Sequence, residues 1–124
     1  MLRKGKLCVH LIHAWNSNAI QVVTDGSISA GRWQHLLVTY DGSSTAAGIR
    51  IYLNGALQST SAPYDSLTGS ITTDEPFRLG RRSTSAFYKG DLDELRIYSR
   101  TLSVEEARQL ADSQFLTATL AVPR

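Results

Sequence analysis

The sequence predicts an all-β fold, an antiparallel β-sandwich with one short C-terminal helix. Three observations lead to this class. Apolar and polar residues alternate along several short runs, turn residues separate those runs, and a single helix-start signal lies late in the chain. The 124 residues suit one domain spanning residues 1–124, because two separate cores of this total length would each be marginal.

Alternation with period two identifies the strands of the first half. In the run 7–12, Leu7, Val9 and Leu11 share one face of the predicted strand. Asn54-Gly55 predicts a tight hairpin, because both residues tolerate the positive φ of a type I′ turn. The same reasoning predicts further strands over residues 19–24, 33–40, 49–53 and 56–61.

The second half is predicted to continue as short strands and then a helix. Strands are expected over residues 70–73, 77–80 and 92–98. Ser103 and Glu106 have the spacing of a capping box, in which each side chain accepts a hydrogen bond from the other residue's backbone N–H.

The helix is expected to end at Asp112-Ser113. The apolar, β-branched tail 115–122 is then predicted to form an extended, paired strand.

Composition excludes several functional classes. The net charge is +2 and the cations form no dense stripe, so nucleic-acid binding is not expected. The single Cys8 excludes a disulfide within the chain and a cysteine-based zinc cluster. The sequence contains no apolar run of about 18 residues that would span a membrane. The first residues lack a small-residue cleavage site, so we interpret them as a strand rather than a signal peptide.

Three segments, in order, resemble laminin-G-like domains. They read GRWQHLLVTYDG at 31–42, IYLNG at 51–55 and GDLDELRIY at 90–98, the last followed by RTLS and Glu106. The resemblance covers roughly residues 5–112 and implies a pentraxin-related jelly roll of the concanavalin A-like lectin/glucanase type, with Trp33 in a core strand. Relative to that pattern the first strands are missing, so we expect a fragment of a larger protein.

The resemblance implies a non-catalytic recognition module that binds carbohydrate or a protein partner outside the cytoplasm. The parent protein would be secreted or periplasmic. The alternative is a structural or assembly domain without a glycan ligand, and a glycoside hydrolase is the weakest hypothesis. Retaining glucanases of this fold need alternating carboxylates on one strand. Asp91 and Asp93 share a face, but Glu94 points oppositely and Leu95 is not acidic. No enzyme activity is therefore expected.

Two loops carry candidate ligand-binding residues, since sugar recognition needs an aromatic surface and polar groups for hydroxyls. The first contains Trp15, Asn16 and Asn18. The second contains Arg82, Phe87 and Tyr88. The alternative interpretation is that Trp15 and Phe87 only pack at the rim of the sandwich.

No cofactor is expected. Calcium binding is an alternative, because several Asp and Glu residues lie in predicted loops. Their spacing leaves the metal ligands unknown. A homodimer is a further expectation, formed through the exposed edge of strand 92–98 or through the C-terminal tail.

Overall fold

Regular structure forms two antiparallel sheets and one α-helix. The computed structural model describes residues 2–120. The strands are β1 (Leu2–Arg3), β2 (Lys6–Ala14), β3 (Asn18–Thr24), β4 (Leu36–Tyr40), β5 (Ile49–Leu53), β6 (Ala56–Leu57) and β7 (Thr60–Asp65), with a 3₁₀-helix at Ala46–Gly48 and α1 at Val104–Leu120. One sheet has the order β1-β2-β3-β7 and the other β4-β5-β6, which confirms the predicted all-β class.

The core lies between the sheets and follows the predicted alternation. Leu7, Ile20 and Val22 from the first sheet are buried against Ile49 and Ile51 from the second. The sheets are also joined by a polar contact, since the Ala46 N–H donates to Asp65 Oδ1 at 2.7 Å. Strands with one buried face specify their own register, because a slip of one residue would expose every core side chain.

The segment predicted as one strand over 56–61 is divided between the two sheets. β6 pairs with β5 just after the Asn54-Gly55 turn, whereas β7 pairs with β3. The chain therefore passes from one sheet to the other at Gln58 and Ser59. There the Gln58 N–H donates to Ile51 O, and the Ser59 carbonyl accepts from Asp25 N–H.

The strands predicted over 70–73, 77–80 and 92–98 are not formed in the structure. Apolar and polar residues do alternate in these segments. A strand, however, also needs a neighbouring strand to pair with its backbone N–H and C=O groups. The backbone instead makes local bonds, such as Thr72 N–H to Ser70 Oγ and Glu75 N–H to Thr73 Oγ1. Trp33 likewise lies before β4 and is 61% exposed, so its predicted core position is wrong.

The capping box at the start of α1 is present as predicted. Ser103 N–H donates to Glu106 Oε2 at 2.8 Å, and Glu106 N–H donates to Ser103 Oγ at 3.1 Å. On its inner face α1 buries Ala107 and Ala111, which pack over Gly55 of the β5–β6 turn.

The predicted end of the helix at Asp112-Ser113 is wrong, since α1 continues to Leu120. The extended strand predicted from Phe115 is therefore wrong as far as Leu120, and residues 121 and 122 lie outside the described part of the chain. No Gly or Pro occurs between 112 and 120. Once a helix is nucleated and capped, propagation costs less than starting a new unpaired strand. In the described residues, no helix is both long and apolar enough to cross a membrane.

Candidate functional site

The outer face of the four-stranded sheet, which points away from the core, carries a row of polar and aromatic side chains. His10 of β2 is paired with Gln21 of β3, and Gln21 is paired with Tyr64 of β7. Directly opposed residues project to the same side of an antiparallel sheet. Their chain neighbours Leu11 and Ile20 face the core, so the row lies on the opposite surface.

Trp15 in the β2–β3 turn extends this row. Its ring centroid lies 5.0 Å from that of His10 and 5.6 Å from that of Tyr64, with tilted planes. These separations are typical of favourable aromatic pairs. The Trp15 side chain is nevertheless 47% exposed. We call the group formed by His10, Trp15, Gln21 and Tyr64 the aromatic platform.

The turn geometry explains how Trp15 reaches the platform. The β2–β3 register shifts between Ile12 and Ala14, and such an irregularity redirects the side chains that follow it. Asn16 then adopts a positive φ of 67°, which asparagine tolerates better than most residues. Asn16 thus provides the left-handed backbone conformation in the β2–β3 turn, and its side chain is exposed.

Beneath the platform, hydrogen bonds fix the polar side chains. Gln21 Nε2 donates to Cys8 Sγ at 3.3 Å and lies 2.9 Å from His10 Nε2. Cys8 Sγ also lies 2.9 Å from the same imidazole nitrogen. Gln21 and Cys8 are both buried, so this cluster orients the His10 ring. A preoriented ring loses little conformational entropy when a ligand binds against it.

Asn18, a predicted ligand-binding residue, makes three hydrogen bonds to the loop that follows β7. Its Oδ1 accepts hydrogen bonds from the backbone N–H groups of Thr68 and Gly69, and its Nδ2 donates to Thr68 Oγ1. The amide therefore anchors the loop that follows β7. Trp15 is the member of the first predicted group that belongs to the platform.

The second predicted group, Arg82, Phe87 and Tyr88, lies in a separate loop. Arg82 N–H donates to Ser85 O, and Tyr88 N–H donates to Gly80 O. Phe87 is 68% exposed. Among the described residues, no hydrogen bond or ring contact connects this loop with Trp15.

The carboxylates considered for hydrolysis lie outside the strands and helices of the described chain. Asp91, Asp93 and Glu94 are exposed and lie in irregular structure, and Asp93 Oδ1 accepts from the neighbouring Glu94 N–H. Without a strand, the alternating geometry that a glucanase pair requires is not formed.

The three histidines lie in different surroundings. His10 belongs to the platform, and His13 Nδ1 lies 2.8 Å from Ser70 O. His35 precedes β4 in the other sheet. Burial, reinforced by the positive charge of Arg96, lowers the pKa of His35 below its ordinary value. Within the described part of the chain, no group of three or more His, Cys, Asp or Glu side chains could hold a metal ion. Calcium binding stays a prediction without assigned ligands.

The family model that matches this sequence covers residues 4–108 and describes the concanavalin A-like lectin/glucanases superfamily. The chain belongs to this superfamily. A search of curated proteins gave no match.

A solved structure with the same fold is that of an S-layer domain-containing protein from Clostridium thermocellum. The sequence identity is 19% and the TM-score is 0.50, over 86% of this chain. The present chain spans 63% of that structure's length. A likeness at this identity supports the fold and does not transfer a function.

Sequence reasoning missed three of the four platform residues. The signal for His10 was available, because alternation puts it opposite Leu7, Val9 and Leu11. Tyr64 could not be assigned in this way. Its place beside Gln21 depends on the pairing of β3 with β7, which no local pattern specifies.

Proposed function

We propose that this protein is a non-catalytic recognition module that binds carbohydrate on its aromatic platform. It would act outside the cytoplasm, as part of a larger secreted or periplasmic protein. The observation that carries the proposal is the half-exposed Trp15 ring, held against His10 and Tyr64 on the surface opposite the core.

The platform provides the two kinds of contact that sugar recognition uses. The exposed part of the Trp15 ring offers an apolar surface for the C–H face of a pyranose. His10 and Tyr64, which are both partly exposed, bring polar atoms beside it. Small-molecule sites commonly combine aromatic surfaces with a few placed polar groups in this way. Contacts with Cys8 and Gln21 hold the His10 ring. The His10 side chain would therefore lose little conformational entropy when a glycan binds.

We also propose that the module does not hydrolyse the glycan that it binds. Retaining glycosidases hold two carboxyl groups about 5–5.5 Å apart across the scissile bond. The described platform contains no carboxylate, and Asp91 and Asp93 lie in an exposed loop. A sugar stacked on Trp15 would therefore be bound and released unchanged.

A glycan array followed by calorimetry on the strongest hits tests this function. Trp15→Ala should weaken binding of a confirmed glycan at least tenfold, because it removes the stacking surface. Trp33→Ala is the matched control, since Trp33 is even more exposed and precedes the other sheet. The control should bind like the wild type.

Two outcomes would contradict the proposal. If Trp15→Ala binds as tightly as the wild type, the glycan lies elsewhere. If no glycan binds the wild type, carbohydrate recognition is wrong. Far-UV circular dichroism of both variants shows whether the fold is retained.

An assembly role is the second candidate function. It is favoured by large apolar side chains that remain exposed in the described chain. Phe77 is 70% exposed, Ile97 75% and Leu95 56%. Leu95 and Ile97 lie two residues apart in one segment, and exposed apolar side chains that lie together are common at contacts with another protein.

A further inference from the structure

The turn between β5 and β6 places an asparagine directly before a glycine. The chain contains three asparagines, Asn16, Asn18 and Asn54, and among them Asn54 alone precedes a glycine. Asparagine loses its side-chain amide when the backbone nitrogen of the next residue attacks its Cγ. A side chain on that next residue hinders the approach, and glycine has none. The sequence around Asn54 therefore favours this reaction.

The folded turn holds the reacting atoms apart. Asn54 Oδ1 accepts from the His35 N–H at 2.9 Å, and Asn54 Nδ2 donates to Gln34 Oε1 at 3.4 Å. Asn54 and Gly55 both have positive φ, as in a type I′ turn. In such a turn the Gly55 nitrogen and the Asn54 side chain lie on opposite sides of the Asn54 Cα–C bond. The turn must therefore rotate about that bond before the nitrogen can reach Cγ.

Helix α1 covers the same turn. Gly55 is buried, and a Cβ built on it would lie 3.0 Å from Arg108 Cα and 3.3 Å from Ala111 Cβ. Packing this close leaves no space for the backbone rotation that the attack requires. The helix therefore has to leave the turn before Asn54 can react.

The helix is held on the sandwich by a small apolar contact. Its buried inner-face residues are Ala107 and Ala111, and alanine removes much less apolar area from water than leucine or phenylalanine does. The two described ion pairs of its first turns join residues of the helix and its approach, and neither reaches a strand. Elements with few buried apolar contacts open at a lower free energy than the whole fold. We therefore expect α1 to detach while the sheets stay paired.

We propose that Asn54 is a site of spontaneous deamidation guarded by α1, and that its isoaspartate product keeps the helix detached. Once the helix leaves, the Gly55 N–H gives its proton to hydroxide, and the nitrogen forms a bond to Asn54 Cγ. The Cγ–Nδ2 bond breaks, and Nδ2 takes a proton from water and leaves as ammonia. Water then opens one of the two C–N bonds of the cyclic imide, which gives aspartate or isoaspartate.

The packing of the turn explains why the isoaspartate product does not return to its place. Isoaspartate adds one carbon to the backbone at a point where even a single Cβ on Gly55 would press against Arg108 and Ala111. Aspartate retains the normal backbone, so this product should still accept the helix. The proposal does not depend on the glycan site.

Peptide mapping by mass spectrometry tests the guarding role in folded protein kept in mildly alkaline buffer at 37 °C. Ala111→Lys places a charge on the buried face of α1 and should detach the helix. Gln109→Lys adds the same charge on the exposed face and is the matched control. Conversion of Asn54 should be at least tenfold faster in Ala111→Lys than in the wild type, and unchanged in the control.

A milder variant and an internal reference separate helix detachment from global unfolding. Ser103→Ala removes the helix-cap acceptor and should accelerate the conversion about fivefold. Asn18 is the reference, because its side chain is bonded to the loop after β7 and is released when the sandwich itself opens. Each conversion rate is divided by the rate of the same asparagine in the urea-unfolded chain. The normalised rate should rise for Asn54 and not for Asn18.

Amide hydrogen exchange on the separated products tests the second half of the proposal. In the isoaspartate product, amides 107–111 of α1 should lose their protection, whereas the β2–β3 ladder keeps its protection. In the aspartate product, the same helix amides should stay protected.

Three results would overturn the proposal. The first is an equal rate of Asn54 conversion in the two lysine variants. The second is a parallel rise of the normalised rates of Asn54 and Asn18 in Ser103→Ala, which would mean that global unfolding exposes the site. The third is an isoaspartate product whose helix is protected as in the wild type, which would mean that the longer turn still fits beneath α1.

Discussion

Replacing Gly55 with alanine tests how α1 is attached to the sandwich. Gly55 has a φ of +81°, and a Cβ there would lie 3.0 Å from Arg108 Cα and 3.3 Å from Ala111 Cβ. The substitution therefore strains the turn and also pushes against the helix. Gly42→Ala is a matched control, because Gly42 has the same φ of +81° with nothing within 4 Å of the added Cβ.

The expected magnitudes follow from this difference. A left-handed conformation costs a non-glycine residue about 1–2 kcal/mol, and alanine also restricts the unfolded chain. Both effects are shared by the two variants. Overpacking against α1 adds about 1–3 kcal/mol at Gly55 only. We therefore expect Gly55→Ala to lose about 1–3 kcal/mol more than Gly42→Ala, a large fraction of the stability of a small domain.

Urea unfolding followed by circular dichroism at 222 nm measures this difference. The denaturant dependence of the free energy should be alike in the wild type and both variants, so that the midpoints can be compared. If the two variants lose the same stability, the helix does not rest on the β5–β6 turn and our account of its packing is refuted.

Three further predictions concern α1 and the absence of chemistry. Ser103→Ala should lower stability by about 1 kcal/mol by removing the N-cap acceptor, whereas Ser103→Asn should retain most of it in the same urea experiment. The pKa of Glu106 is lowered to about 2, chiefly by its hydrogen bonds with Arg100 and also by the Ser103 N–H. A lowered carboxyl pKa stabilises the fold above the ordinary value of 4.5 and loses that contribution as the pH falls towards about 2. The melting temperature of Glu106→Gln should therefore depend less on pH across this window than that of the wild type, and equal slopes would contradict the assignment. Incubation with β-glucans should release no reducing sugar, and turnover abolished by Asp93→Asn would show that we misjudged the exposed carboxylates.

Features that depend on residues close in sequence could be predicted correctly. The alternation in residues 7–12 and 49–53 identified two strands and their buried faces. Asn54-Gly55 identified the hairpin, with φ values of 51° and 81° in the structure. Ser103 and Glu106 identified the start of the helix. Each signal lies within a few residues, and its hydrogen bonds and steric limits act over the same short range.

The end of the helix shows where such signals conflict. Residues 115–122 have the composition of a strand, yet the chain continues as a helix to Leu120. β-propensity largely measures how well a side chain packs on a sheet that is already there. The tail is paired with no strand in the described structure, so the helix that precedes it decides its conformation.

The sequence by itself determined the class of fold, the faces of the early strands, the tight turn and the helix cap. The tertiary structure alone decided that segments 70–98 remain irregular, that β6 and β7 belong to different sheets, and that Tyr64 meets Trp15. It also left the edge of β4 open. The physical reason is that a strand's stability and neighbours come from a partner far along the chain. Residues close together encode which face is apolar, but only the assembled sheets determine what lies against it.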